Sequence, residues 1–339
     1  MSPSLQRHAL TRLQCCSESI DLVCLFPYCA RIWFGRAMAH LTNPLVSPEQ
    51  LASSTRINDA LPQSAQDLIR FSTARLTQAA GILLRLPQSV SAQAVVVLYR
   101  YWAIEELTRD EFKDISAAVV YLTAKVSAHP RSLRSIANVY TYLYSSSSAL
   151  ASVQSPDSKS PPDPASYYLS PSSYTSFTNR ILLLEGHVLN ALGFGVHVAL
   201  PHPLTITYLQ TMDIFSAAYS KSTGPKLARR AIALLNTALL SPQMLYLTHQ
   251  PNALAVAAIY LAAREEGVNL PSVEWWEVFD LEREELGFLV VAFLSLQGWC
   301  AEMGKEAIGA MRKVDIAKLA GGEVDEEAEM AMMLDEKPV

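Results

Sequence analysis

From about residue 60 onward, apolar residues recur at steps of three and four, and proline or a serine-rich break punctuates the runs. In "SAQDLIRFSTARLTQAAGILLRL" the positions Leu68, Phe71, Leu76, Ala80, Leu83 and Leu84 fall near one helical face, and Pro87 closes the segment. "SAQAVVVLYRYWA" follows, then "RDEFKDISAAVVYLTAKVSA", where Ile115, Ala118, Val119, Leu122 and Val126 form a helical stripe. Pro130 stops that helix, "RSLRSIANVYTYLY" starts a fourth, and "NRILLLEGHVLNALGF" makes a fifth. The second half repeats the count with "PLTITYLQTMDIFSAAYS", "PKLARRAIALLNTALLS", "PNALAVAAIYLAARE", "PSVEWWEVFD" and "REELGFLVVAFLSLQGW". No stretch shows sustained period-two alternation with turn signals, so the predicted class is all-α.

The two halves also share a phrase. "VVYLTAKVSAHPRS" in the third helix of the first half returns as "AAIYLAAREEGVNLPS" in the third helix of the second. Tyr121 is matched by Tyr260 and Lys125 by Arg264, about 140 residues apart, roughly one domain length. Tandem duplication of a five-helix unit accounts for this better than coincidence. Between them, residues 145–177 are dominated by serine and proline and carry no helical stripe, which predicts a flexible insertion. Three Ser-Pro pairs begin at Ser155, Ser160 and Ser170; they suit a proline-directed kinase, but such pairs occur in any loop of this composition.

Composition sharpens this reading. Charged residues are 17% of the 339 and hydrophobic ones 50%, so the helices either bury much of their surface or leave apolar surface for a partner. The longest apolar runs, such as 252–263, fall short of the ~18 residues of a membrane span. A formal charge of −5 with no long basic run argues against wholesale nucleic-acid binding. Four of the five cysteines (Cys15, Cys16, Cys24, Cys29) lie in the N-terminal tail and only Cys300 elsewhere, which points to an intracellular chain rather than a disulfide framework. That tail lacks the Cys-x-x-Cys pairs of a zinc ribbon, and its short apolar stretch "LVCLF", flanked by Asp21 and Pro27, is a poor signal peptide. An irregular tail is the expectation.

Four segments, in order over roughly residues 60–300, resemble the cyclin family and within it the L type. "QAAGILLRLPQ" is similar to the first cyclin-box helix. "YLTAKVSAHPRSLRSIANVY" resembles the family's Leu-Ala-Ser-Lys segment with the proline and Arg-rich helix after it. "EGHVLNALGFGVHVALPH" resembles the fifth helix and the passage to the second box, and "AIYLAAR" with "LPSVEWWEVF" the second box itself. The resemblance implies two tandem five-helix cyclin boxes: a tail at 1–59, partly irregular; a first box at 60–196 with the insertion 145–177; a second at 197–300; and an acidic tail at 301–339. It implies a regulatory subunit that binds and activates a cyclin-dependent protein kinase acting in RNA polymerase II transcription or pre-mRNA processing, in the nucleus. It implies no catalytic residue, metal, cofactor or small-molecule ligand, and neither a nucleic-acid nor a membrane partner. The kinase-binding residues it implies are Lys125 and Glu185, with the apolar contacts Val126, Leu189 and Phe194.

The residue chemistry agrees with that assignment. Glu185 lies in the apolar run "ILLLEGHVLNAL", where a buried carboxylate is costly unless a cation or backbone donors meet it. Lys125 supplies such a cation; otherwise both side chains simply reach solvent from separate helices. Departures from the family remain. Ser127 and Ala128 stand where most relatives have two acids, the Met-Arg-x-x-Leu docking patch is not reproduced in "GILLRLPQ", and the Arg-Ser tail of animal cyclin L is missing. His129, His197 and His202 have no matching carboxylates and suit helix ends or surface; Trp275 and Trp276 suit core or groove wall; Arg229 and Arg230 are too few for a nucleic-acid face. Two alternatives stay open: a general-transcription-factor-like protein that binds DNA and a TATA-binding protein, and a scaffold that no longer activates a kinase.

Overall fold

The structure, a computed structural model, describes residues 41–145, 168–216, 222–271 and 273–303. The chain divides into two compact units, Met1–Asn43 and Pro44–Val339. Only residues 41–43 of the first are described, and all the described helices lie in the second. The four N-terminal cysteines, Ser155, Ser160, most of the insertion and the acidic tail beyond Met303 lie outside the described residues.

Every regular element among the described residues is helical, with no strand. In chain order they form α1 (Pro48–Ile57), α2 (Gln63–Leu83), α3 (Gln88–Trp102), α4 (Phe112–Val126), α5 (Leu133–Tyr144), α6 (Pro171–Ala191), α7 (Pro201–Thr211), α8 (Thr223–Ala238), the short α9 (Leu245–Thr248), α10 (Pro251–Glu266) and α11 (Arg283–Met303). Proline sets many of the starts. Pro48, Pro171, Pro201 and Pro251 occupy first-turn positions whose N–H has no intrahelical acceptor, while Pro62 and Pro87 cap α2 and α3.

Two five-helix sets result, each built round its third long helix. In the first, α2 to α6, helix α4 is wrapped by α2, α3, α5 and α6. Ala117, Ala118, Val119, Val120, Leu122 and Ala124 are buried along it. In the second, α10 is wrapped by α7, α8 and α11, and nearly all of Ala253 to Ala263 is buried. The dense small and branched side chains let these helices approach closely, which is how a core of this apolar content fills its volume. The tandem arrangement of the sequence reading is therefore present.

Several details differ from that reading. The tail's last stretch is ordered as α1, closed by a capping box between Ser47 and Gln50. Ser54 donates to Trp102 O at 3.1 Å, and Asn58 accepts from Leu107 N–H at 2.9 Å, so α1 is pinned to the end of α3. Just before it, Val46 N–H donates to Leu247 O at 2.9 Å in α9. The insertion ends earlier than 177, because Ser170 is the N-cap of α6 and accepts from Ser173 N–H. Within the expected helix "PSVEWWEVFD", residues 273–280 form not an α-helix but a turn leading into one 3-10 turn, Glu277–Phe279. Trp275 is drawn into the core there, and Phe279 stacks on Tyr208 at 4.0 Å between ring centroids, so aromatic packing shapes the segment. Contrary to the run-length argument, α11 is apolar and long enough to cross a membrane by length and composition. Its Leu286, Leu289, Val290, Phe293 and Leu296 are buried within the fold, while Phe288, Val291 and Leu294 face outward.

Candidate partner-binding face

Helices α4 and α6 lie side by side and are tied by two ion pairs of opposite sense. Near the start of α4, buried Asp114 accepts from Arg180 Nε of α6 at 2.8 Å. At the other end, Lys125 Nζ donates to Glu185 Oε1 at 2.9 Å. An acid on α4 meets a base on α6 at one end and the reverse holds at the other, so sliding either helix would break both pairs and leave two buried carboxylates without their cations.

The second pair is lopsided. The Glu185 side chain is 8% exposed and that of Lys125 56%. The carboxylate is thus sunk among apolar neighbours of α6, and the ammonium closes over it from the solvent side. Lys125 Nζ also lies 5.5 Å from the Tyr121 ring centroid, within cation–π range. The bond from Glu185 and its negative charge raise the lysine pKa above the ordinary value. The ammonium therefore stays protonated across the neutral range and keeps donor capacity beyond the one bond it makes here.

The apolar side chains around this pair point outward to an unusual degree. Val126, next to the lysine, is 65% exposed, and Phe194, just past the end of α6, is 67% exposed. Leu189, one turn after Glu185, is half-buried and packs against the core. The five residues expected from the sequence thus divide: Lys125, Val126 and Phe194 are presented, Leu189 backs them, and Glu185 anchors the cation from below.

Sequence reasoning missed Leu182, exposed and about one turn before Glu185 on α6, and Leu183, exposed on the side turned away from it. The signal was available in "ILLLEG", since four consecutive apolar residues on one helix cannot all face a core on one side. It also missed Arg100, which reaches from the end of α3 to the loop after α6. Ser127 has a local role that the sequence did not disclose. Its Oγ donates to Ala124 O at 2.8 Å and accepts from His129 N–H at 3.0 Å, closing the C-terminus of α4.

The histidines take structural positions. His129 and His197 are exposed, and His202 bonds Asn236 Oδ1 at 3.0 Å through Nε2, with burial lowering its pKa.

No family model matches the chain. It is 29% identical to cyclin-L2 of Homo sapiens over 292 residues, covering 86% of this chain and 49% of that protein. It is 28% identical to cyclin-L1 of Homo sapiens over 257 residues, covering 76% and 45%. The chain spans about half the length of the curated relatives it matches. Among solved structures, a chain of the "Crystal Structure of the yeast RNA Pol II CTD kinase CTDK-1 complex" shares the fold with a TM-score of 0.58 at 13% identity, covering 88% of this chain and 92% of that one.

Proposed function

We propose that this chain, whose sequence and fold resemble the cyclins and within them the L type, is the regulatory subunit of a cyclin-dependent protein kinase acting in RNA polymerase II transcription or pre-mRNA processing. The observation that carries the reading is the Lys125–Glu185 pair, an exposed cation seated on a buried carboxylate and followed directly by outward-facing Val126, with Leu182 exposed one turn before Glu185 and Phe194 exposed just past the end of α6. Exposed apolar side chains beside one preorganised ammonium suit a protein surface that offers backbone carbonyls and apolar side chains. It does not suit a small polar substrate.

The mechanism follows from what a protein kinase needs. Its active state requires an ion pair between a strand lysine and a glutamate on the αC helix. A subunit that binds only the inward position of that helix raises the competent population by its differential affinity, with no chemical step of its own. The chain is accordingly a non-enzyme partner, and a transcription-linked kinase places it in the nucleus.

The test is co-purification. The tagged chain recovers a protein kinase identified by mass spectrometry, and the double variant Lys125→Ala, Glu185→Ala recovers none; undiminished recovery by the double variant refutes this interface. A second reading, a scaffold that binds the kinase without activating it, is favoured by Ser127, whose hydroxyl is spent on closing α4 where most relatives carry a charge. Activity of the reconstituted pair on a polymerase-tail peptide distinguishes the two.

A further inference from the structure

We infer that Arg100 is a positioning residue for Phe194, holding the strained turn that presents the Phe194 ring to the partner. The inference rests on the kinase-binding reading of this face. Gly193 has φ 53° and Phe194 φ 62°, so two successive residues occupy the left-handed region. Glycine enters it freely, whereas the phenylalanine Cβ crowds the carbonyl that follows. A bulky residue stays there only where its surroundings over-determine it, and such sites cluster at functional positions. Burial does not compensate the strain, because the ring projects into solvent.

Polar contacts hold the turn instead. Phe194 N–H donates to Leu189 O at 2.9 Å, Gly195 N–H to Leu192 O at 2.9 Å, and Val196 N–H to Phe194 O at 3.0 Å. From the other side, Arg100 Nη1 donates to His197 O at 2.7 Å and to Gly195 O at 3.3 Å. Arg100 is only 7% exposed. A buried guanidinium that loses its acceptors is costly, so neither carbonyl can swing away independently. The ring is therefore fixed before the partner arrives, and less ordering is needed on binding. Both bonds leave the one Nη1, whose two N–H directions are fixed by the guanidinium plane, whereas a lysine ammonium ends a flexible stem and rotates freely, so lysine holds the two carbonyls less firmly.

The kinase recovered with the wild-type chain, purified separately, is titrated against full-length Phe194→Ala, Arg100→Lys and the double variant. Phe194→Ala is expected to weaken binding about tenfold. Arg100→Lys is expected to weaken it about fivefold in the wild-type background and less than about twofold once the ring is gone, because coupled residues are not additive. Paired with Lys125→Ala instead, the Arg100→Lys loss stays at its full size. Equal Arg100→Lys losses with and without the ring overturn the positioning role and leave the kinase reading standing; a kinase that still binds Lys125→Ala, Glu185→Ala sinks that reading instead.

A second measurement needs no kinase. Phe194→Gly is expected to melt about 2 °C above Phe194→Ala, the reverse of the usual order, because only glycine relieves the turn. The gap narrows when Arg100 is lysine. An alanine variant as stable as the glycine variant, or more so, overturns the inference.

Discussion

The two halves carry the same central helix to two different ends. Aligned on Tyr121 and Tyr260, α4 and α10 match Lys125 with Arg264, Val126 with Glu265 and Ser116 with Ala255. In the first half the cation closes over a buried carboxylate, and the residue after it is an exposed valine. In the second, Arg264 makes no ion pair among the described residues, and the following Glu265 is bound by Arg230 of α8. Gln297, at the same place in 21-residue α11 as Glu185 in 21-residue α6, joins that cluster as a neutral group. One copy keeps an ammonium with spare donors beside an exposed apolar side chain, and the other has, in place of that valine, a carboxylate already bonded by Arg230. The same helical frame is thus compatible with a face ready for a partner and with one already satisfied.

The strongest way to break this comparison is to treat the two cations alike. Lys125→Ala leaves Glu185 buried without its cation, and losses of this type at interfaces run to about 2–5 kcal/mol of binding. Arg264→Ala removes an exposed side chain with no ion-pair partner and is expected to change kinase binding and thermal stability within error. Binding titrations and melting curves on both variants decide it. Equal effects on kinase binding would show that the asymmetry between the halves has no functional content.

Much of this was legible in the sequence because the pattern is local. Steps of three and four, proline starts and the repeated Tyr-Leu phrase depend on neighbours along the chain, and the helices follow them. The Lys125–Glu185 pair was inferred by resemblance, and the structure places its members at bonding distance. What escaped depends on tertiary context. The "VEWWEVF" segment has helical spacing, yet Trp275 and Phe279 find better packing against the core and Tyr208 than a helix would give them. Arg100 looked like one more helix residue, because its acceptors at 195 and 197 lie about 95 residues on. Ser170 read as part of a serine-proline loop, whereas its hydroxyl starts a helix.

A smaller effect tests the cores rather than the ends. In α4, Ser116 Oγ links Thr77 Oγ1 at 2.8 Å and Tyr140 OH at 2.7 Å, all three residues being fully buried. The matching position in α10 is Ala255, fully buried and with no polar group of its own. Ser116→Ala therefore makes the first core resemble the second in sequence, but it leaves the Tyr140 hydroxyl without a partner. The expected cost is about 1–3 kcal/mol of unfolding free energy by denaturant titration. Adding Tyr140→Phe should recover part of it, since the orphaned hydroxyl then disappears. A double variant less stable than Ser116→Ala would place the cost in packing instead.

The smallest expected effect belongs to the charges that the second half keeps to itself. The bond from Arg230 holds the Glu265 carboxyl below its ordinary pKa of 4.5. A group whose folded pKa is depressed contributes stability that is fully present above the unfolded value and is lost as pH falls through the folded one. The contribution should accordingly be intact at neutral pH and fade below about pH 4.5. Both side chains are partly exposed, at 36% and 28%, so solvent screening keeps the pair to roughly 0.2–1 kcal/mol. Glu265→Gln, which keeps an oxygen for Arg230 but cannot titrate, is expected to flatten the acid limb of the stability profile slightly and leave kinase binding unchanged. An acid limb identical to that of the wild-type chain would mean that Arg230 stabilises the charged carboxylate too little to matter. A loss of kinase binding would mean that the second helix end takes part in the interface after all.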